Sequence, residues 1–202
     1  MFKYEKKGDH FIPVQEAPGY LFIYSILEDR DGTIWLGTLG SGVHYYNTTS
    51  GIHGQLLHDP HNANSLPSNL INNVFEDSYH NLWFATEGGG LCLYNPAGKT
   101  VKRYTTQNGL PSDFVFKVLE DGKKHLWIST SRGLTCFNPV TGAMKVFTKA
   151  NGLLSDQFNY SSGYKDKQGR MYFGSVKGLI SFNPDEFTQN NFIPRLYYRL
   201  PG

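Results

Sequence analysis

The sequence predicts an all-β protein made of β-propeller blades, and a repeat and the composition support this prediction. One motif recurs four times, and its copies are spaced by 48, 44 and 45 residues at Trp35, Trp83, Trp127 and Tyr172. Arrays with about 40–50 residues per unit, each unit forming four short strands, are β-propellers. The composition, with 13 Tyr and 14 Phe beside 22 Gly, favours short strands joined by tight turns.

Each repeat predicts a four-stranded antiparallel meander, which the third repeat displays most clearly. Its strands, each bounded by turn-forming residues, are predicted at residues 112–121, 125–130, 134–139 and 143–148. The run Leu126, Trp127, Ile128 places apolar side chains on both faces of the second strand, as a sheet buried on both sides requires. We therefore expect the tryptophans to pack blade against blade.

Residues that recur at the turns are predicted to have a structural role. A glycine, which tolerates positive φ, precedes each third strand: Gly42, Gly90, Gly133 and Gly178. An asparagine ends each of these strands: Asn47, Asn95, Asn138 and Asn183. Acidic pairs such as Glu76 and Asp77 also recur in register, which indicates a role in turns. One leucine of each connector between blades is predicted to be buried: Leu66, Leu110 and Leu153.

The repeat divides the chain into four blades with a segment at each end. Blades 1 to 4 are predicted at residues 20–65, 66–109, 110–152 and 153–187. Residues 1–19 are interpreted as the remnant of a preceding blade, because residues 2–5 align with the third strand of blade 2. Residues 188–202 are interpreted as an exit segment toward a following domain. Blade 4 departs from the pattern with Met171 and Tyr172, and terminal repeats are often atypical.

Charge and hydropathy argue against several classes of partner. The net charge is +2 and the basic residues form no stripe, so nucleic-acid binding is not predicted. No stretch approaches the roughly 20 apolar residues of a membrane span, so this chain is expected to make no membrane contact. The N-terminal 15 residues lack the apolar core of a signal peptide.

The two cysteines, Cys92 and Cys136, sit one position apart in repeat register. Successive positions of a strand point to opposite faces of a sheet, so the two thiols are expected to face opposite ways. A disulfide needs Cβ atoms about 4 Å apart, and none is predicted. Both cysteines are interpreted as small buried hydrophobic residues.

No cofactor, metal site or catalytic residue is predicted. His53, His58 and His61 lie close in sequence but have no second set of ligands at zinc-like spacing. Neither a nucleophile elbow, an HExxH motif nor a phosphate-binding GxxxxGK[ST] loop occurs. Glu87 and Asp113 could converge at a propeller mouth as an acid and a base, which leaves a lyase or hydrolase as an alternative.

The segments at residues 58–77 and 82–96, together with Asn-Gly-Leu-Pro-Ser-Asp at 108–113, closely resemble the two-component regulator propeller repeat. That repeat builds the extracytoplasmic sensor region of hybrid two-component systems of Bacteroidetes. The resemblance implies that the four blades are a fragment of a seven-bladed propeller located in the periplasm. It implies a parent protein with a histidine kinase, which this chain lacks.

The resemblance also implies an oligosaccharide ligand and no catalysis by this fragment. The four repeats differ most in the turns between the second and third strands, and such divergence is typical of recognition loops on a rigid scaffold. Drift at tolerant surface loops would give the same pattern. The polar candidates for ligand binding are Arg132, Lys177, Glu87, Asp113, Asp156 and Gln157. An anionic sugar would favour Arg132 and Lys177.

A protein-binding or dimerisation scaffold is the other alternative. Four blades with a partial fifth form either a small closed ring or an open arc. An arc would expose an apolar blade face at each end, and the free edges would favour self-association. The remaining blades and domains of the parent sensor are then the expected partners.

Overall fold

The computed structural model describes residues 2–13 and 21–187, and every sheet in them is antiparallel. A hairpin comes first, formed by β1 (Phe2–Glu5) and β2 (His10–Pro13). Blade 1 contains β3 (Ile23–Glu28), β4 (Thr33–Thr38), β5 (Val43–Asn47) and β6 (His53–Leu56). Blade 2 contains β7 (Ile71–Glu76), β8 (Leu82–Thr86), β9 (Leu91–Asn95) and β10 (Thr100–Tyr104).

Blades 3 and 4 continue the array in the same order. Blade 3 contains β11 (Val115–Glu120), β12 (Leu126–Thr130), β13 (Gly133–Phe137) and β14 (Met144–Phe147). Blade 4 contains β15 (Phe158–Lys165), β16 (Met171–Ser175) and β17 (Gly178–Phe182). The first strands of consecutive blades contact one another, so β3, β7, β11 and β15 line the inside of the array. The predicted all-β propeller fold is confirmed.

Blade 4 differs from the expectation of four strands. Within the described residues its sheet has three, so the prediction of four four-stranded meanders is wrong for this part of the chain. After β17, Asn183 caps a 3₁₀ turn at Pro184–Glu186, and the described part of the chain ends at Phe187 without a fourth strand. Phe187 then packs against Trp127, with ring centroids 4.9 Å apart. The segment at 188–202, expected to lead toward another domain, lies outside the described residues.

An aspartate at the turn between the first and second strands organises every blade. In blade 2, Asp77 accepts hydrogen bonds from the backbone N–H groups of Tyr79 and Asn81 and, at 2.7 Å, from Trp83 Nε1. The same bond to an aromatic side chain joins Asp29 to Trp35, Asp121 to Trp127 and Asp166 to Tyr172. The predicted turn role of the recurring acidic pairs is therefore confirmed for the aspartates.

Stacking of the blades buries the aromatic side chains in three clusters within the described residues. The first lies between blades 1 and 2 around Trp35, the second between blades 2 and 3 around Trp83, and the third between blades 3 and 4 around Trp127. The connector leucines Leu66, Leu110 and Leu153 belong to these clusters in the same order. Both the blade-to-blade role of the tryptophans and the burial of the leucines are confirmed.

The two cysteines face different neighbours, as their register predicts. Cys92 lies in the cluster between blades 1 and 2, whereas Cys136 packs against the cluster between blades 3 and 4. Both are free thiols, and Cys92 is buried as predicted, whereas Cys136 is only half-buried. Burial raises the pKa of each thiol from 9.0 to about 12, so both are protonated at neutral pH.

The two end blades leave apolar side chains uncovered. On blade 1, Ile26 of β3 is 68% exposed. On blade 4, Tyr164 of β15 is 63% exposed and Leu179 of β17 is 50% exposed. These faces are therefore not buried against each other, and the four blades form an open arc rather than a closed ring. The β1–β2 hairpin also exposes Phe2 and Phe11, and its origin in a preceding blade stays a prediction.

Two features make a glycine necessary at position 90, a positive φ and a close approach to another strand, and a stability measurement can separate them. Its φ is +78°, and a Cβ there would collide with the carbonyl oxygen of Tyr104. Gly142 has the same φ of +78° in open space. We expect Gly142→Ala to lower the free energy of unfolding by about 1 kcal/mol through backbone strain. Gly90→Ala should lower it by roughly 1–3 kcal/mol more, because overpacking is added.

Urea unfolding followed by tryptophan fluorescence measures both variants under the same conditions. An equal loss in Gly90→Ala and Gly142→Ala would contradict a close approach between Gly90 and β10.

The Cys92 thiol makes stability depend on alkaline pH. Its pKa is 9.0 in the unfolded chain and about 12 when buried, so above pH 9 the unfolded state holds fewer protons. The free energy of unfolding therefore falls as pH rises between these values, by up to about 1.4 kcal/mol per pH unit. Below pH 9 this thiol contributes no dependence. Cys92→Ala should reduce the slope measured by urea unfolding between pH 9 and 10, and an unchanged slope would refute the assignment.

Candidate functional site

One end of the arc contains the turns between second and third strands, where the repeats differ most, and the connectors between blades. The turns between second and third strands hydrogen-bond to the connectors that lead into the next or the same blade. Gly40 and Gly42 donate their N–H groups to the carbonyl of Asn69, and Gly88 and Gly90 donate to the carbonyl of Asp113. We call this end the connector face. It comprises the turns at residues 39–41, 87–89, 131–132 and 176–177 and the connectors that enter β7, β11 and β15.

Blade 4 carries an insertion at the connector face. Asp113 and Asp121 of blade 3 are 8 positions apart, whereas the matching Asp156 and Asp166 of blade 4 are 10 apart. In blades 1 to 3 the first strand has a short bulge against the second. In blade 4 the residues between Phe158 and Gly163 form a much longer bulge opposite β16. The additional residues therefore project from the innermost strand toward the interior of the arc.

Tyr160, at the centre of this bulge, crosses to blades 2 and 3. Its hydroxyl donates to Glu87 Oε1 at 3.1 Å, and its ring lies 4.5 Å from the Phe116 ring, centroid to centroid. Next to it, Ser161 Oγ donates to the carbonyl of Asn72 at 3.2 Å. Partial burial, followed by the bond to Glu87, raises the pKa of Tyr160 above its ordinary value. The phenol therefore remains a hydrogen-bond donor at physiological pH.

Exposed aromatic rings occur in the first strands of several blades or just before them. Tyr160 is 50% exposed, Phe114 is 45% exposed and Tyr24 is 43% exposed. Phe114 immediately precedes β11, and its ring lies beside Gly88 in the turn that carries Glu87. The connector face thus offers open aromatic surface next to a half-buried carboxylate. The sequence predicted a role for neither Tyr160 nor Phe114, although the longer spacing between Asp156 and Asp166 in the fourth repeat indicates the insertion that contains Tyr160.

Glu87 and Asp113 lie in neighbouring loops of the connector face, where the N–H of Gly88 donates to the carbonyl of Asp113, but their carboxylates have different partners. Glu87 accepts from Tyr160, while Asp113 Oδ1 accepts the N–H of Thr106 at 2.7 Å. Asp156 Oδ1 accepts the N–H of Lys149 in the same way. The side chains of Asp113 and Asp156 therefore stabilise the conformation of the connectors in which they lie.

The remaining candidates are exposed at the connector face. The carbonyl of Gln157 accepts the N–H of Val176, which places Gln157 beside the turn that carries Lys177. Arg132 lies in the matching turn of blade 3. Within the described residues, neither the Arg132 guanidinium nor the Lys177 ammonium has a hydrogen bond or ion pair. Both cations are thus open to solvent.

The histidines that the sequence grouped together make local contacts. His53 Nδ1 lies 3.0 Å from the carbonyl of Gly51, and His58 Nδ1 lies 2.7 Å from the carbonyl of Leu66. The backbone N–H of His61 donates to Asp59.

Comparison with known proteins agrees with this architecture. The family profile described as two component regulator propeller matches residues 18–40, 65–88 and 109–132. Each matched segment includes the first two strands of a blade and the turn that follows them. The three matched segments are therefore similar to the two-component regulator propeller repeat.

Proteins similar to this chain include a histidine kinase and the extracellular domain of a hybrid two component system. Histidine kinase P4 of Formosa agariphila is 28% identical over 224 residues, which cover 86% of this chain and 16% of the kinase. The extracellular domain of a hybrid two component system from B. thetaiotaomicron is 28% identical, with a TM-score of 0.74. That match covers 87% of this chain and 24% of the solved domain. The propeller repeats described here therefore correspond to a small part of either relative.

A lyase shares the fold. Virginiamycin B lyase from Staphylococcus aureus has a TM-score of 0.61 over 82% of this chain and 53% of its own, at 12% identity. At this level of identity the likeness concerns only the propeller fold. Within the described residues, no helix has the length and apolar character that crossing a bilayer demands.

Proposed function

We propose that this chain is part of the extracytoplasmic sensor region of a hybrid two-component system and binds a carbohydrate at its connector face without catalysing a reaction. The observation that supports this most strongly is the insertion in blade 4. It places the exposed ring of Tyr160 next to Glu87, and the exposed ring of Phe114 lies beside Gly88 in the same turn. In this proposal the four blades belong to a larger propeller in the periplasm, and the parent protein carries the kinase.

The chemistry of this surface suits a sugar. Ligand sites combine apolar and aromatic surface with a few convergent polar groups that fix orientation. The flat C–H faces of a sugar ring can lie on Tyr160 and Phe114, and its hydroxyl groups can donate to Glu87. Tyr160 is held by Glu87 and by the Phe116 ring, so little side-chain freedom is lost on binding.

Two cations at the connector face favour an acidic sugar as the ligand. Arg132 and Lys177 are exposed on blades 3 and 4, and both lack an anionic partner among the described residues. A carboxylate or sulfate on the ligand would form charge-assisted hydrogen bonds with them. We therefore place an anionic oligosaccharide ahead of a neutral one.

Calorimetric titration with a panel of neutral and anionic oligosaccharides tests the proposal. For any sugar that binds, Tyr160→Ala and Phe114→Ala should each weaken binding by about tenfold, which corresponds to ~1.4 kcal/mol. Tyr79→Ala is the matched control, because Tyr79 is 55% exposed in a turn at the other end of blade 2. Binding that is equally weakened by Tyr79→Ala, or unchanged by both site variants, would contradict this site.

The same titration tests the cations and the reaction class. The double variant Arg132→Gln with Lys177→Gln should weaken an anionic ligand and leave a neutral one unchanged, and the loss should shrink at high salt. Unchanged binding of every anionic sugar would remove the two cations from the site. Turnover of a bound sugar would favour a lyase or hydrolase over a sensor.

A protein-interaction scaffold is the second candidate, favoured by the uncovered faces of the end blades. Ile26 on blade 1 and Tyr164 on blade 4 would seat the neighbouring blades of a larger propeller or a second copy of this chain. We expect oligomers at micromolar concentration by light scattering. Ile26→Lys combined with Tyr164→Lys should shift the chain to monomer. The matched control is Val140→Lys, because Val140 is exposed in a turn of blade 3 rather than on an end face.

A chain that is already monomeric before substitution would contradict self-association. Oligomers that persist in the double variant would place the contact elsewhere on the molecule.

A further inference from the structure

A group of metal-binding side chains lies at the opposite end of blade 3 from the connector face. Asp121 is in the turn that follows β11, His125 immediately precedes β12, and Cys136 is on β13. One ligand atom from each side chain lies within 4.8 Å of the other two. Asp121 is buried, whereas His125 and Cys136 are half-buried at the edge of a groove between blades 3 and 4.

The other blades show that only the aspartate belongs to the repeated frame. At the positions of His125 and Cys136, the other three blades carry different pairs of residues: Thr33 with Tyr45, Asn81 with Leu93, and Arg170 with Ser181. The corresponding groove between blades 1 and 2 is lined by Thr33 and Tyr45. Imidazole and thiol are therefore not needed to build this turn, and blade 3 alone among the four described blades combines them with the aspartate.

The surroundings can accept a cation even though two lysines line the groove. Lys123 Nζ is 3.4 Å from Asp185 Oδ1, and Lys145 Nζ lies 5.2 Å from the centroid of the Phe147 ring. Each ammonium group thus has a favourable contact of its own. Trp127 and Phe187 supply apolar walls, which lower the local polarity and strengthen ligand binding to a metal.

The donor set indicates which metal would bind. Sulfur, imidazole nitrogen and carboxylate oxygen together suit Zn²⁺, and sites with three protein ligands leave a fourth position for water. We propose that Asp121, His125 and Cys136 bind Zn²⁺ at the base of blade 3. The carboxylate and the thiolate balance the two positive charges. The thiol proton passes to solvent on binding.

Binding also has a structural requirement at His125. Its Nδ1 lies 3.4 Å from Asp121 Oδ2, so this nitrogen faces the other ligands. Its Nε2 lies 3.3 Å from Asn138 Nδ2. Coordination through Nδ1 leaves the ring proton on Nε2. Nε2 then no longer accepts a hydrogen bond from Asn138 Nδ2, and these two groups must move apart. Asp121 retains Oδ1 for the turn amides of Lys123 and His125. Its Oδ2 accepts the hydrogen bond from Trp127 Nε1 with one lone pair and has a second lone pair for the metal, so the turn is preserved.

Cobalt(II) is the spectroscopic probe for this site, and Zn²⁺ is the competitor. The 202-residue chain, reduced and freed of metal, is titrated with Co²⁺. We expect one equivalent to give a thiolate-to-metal charge-transfer band and the visible bands of tetrahedral cobalt, and Zn²⁺ to abolish both. Zn²⁺ should also raise the melting temperature, by an amount that grows with the logarithm of its free concentration once this exceeds the dissociation constant.

Substitutions then identify the ligands. Cys136→Ser should abolish the charge-transfer band. His125→Gln should weaken zinc binding by more than the roughly 10–100-fold loss that is typical when a residue behind a metal ligand is substituted. Cys92→Ala is the matched control, because it removes the other thiol, buried between blades 1 and 2. The unfolding transition of each metal-free variant verifies that it is folded.

Absence of a thiolate band in the wild-type chain would overturn the proposal. So would a band that survives Cys136→Ser, or zinc affinity that is unchanged in His125→Gln.

Discussion

The fold depends on the fact that each inner blade is apolar on both faces and so must be covered on both sides. Trp83 of blade 2 is buried against blade 3, while Phe84, the next residue on the same strand, is buried against blade 1. No single four-stranded sheet can bury both faces by itself, so stability comes from stacking, as in other repeat proteins. The same constraint explains the uncovered side chains on blades 1 and 4. It also explains why neighbouring blades or a second copy are the partners that we propose.

A second regularity fixes the geometry inside each blade. The aspartate that follows the first strand binds turn amides with one carboxylate oxygen and an aromatic side chain with the other, as Asp77 binds Trp83. Because this frame repeats, residues that depart from it are the informative ones. Both proposed sites lie at such departures. The bulge with Tyr160 is an insertion into the innermost strand of blade 4. At the base of blade 3, His125 and Cys136 occupy positions at which the other three blades have unrelated residues.

The two proposed sites occupy opposite ends of neighbouring blades and have different chemistry. The connector face combines open aromatic rings, Glu87 and two uncompensated cations, which suits a polar organic ligand. The base of blade 3 has three donor atoms close together beside Trp127, which suits a single metal ion. Trp127 itself is buried between blades 3 and 4. A metal held at this base would therefore stabilise the blade interface to which the sugar site of blade 4 is attached.

The sequence by itself determined the repeat, the blade order, the core positions of the tryptophans and connector leucines, and the opposite orientation of the two cysteines. These follow from local periodicity, because strand register decides which way a side chain points. It predicted a fourth strand in blade 4 before residue 188, whereas in the described residues Asn183 and Pro184 follow β17 with a 3₁₀ turn. Only the tertiary structure decided that the blades form an open arc, and that Tyr160 meets Glu87 across 73 positions of the chain. The meeting of Asp121, His125 and Cys136 likewise depends on how strands pair and blades stack, which no local pattern encodes.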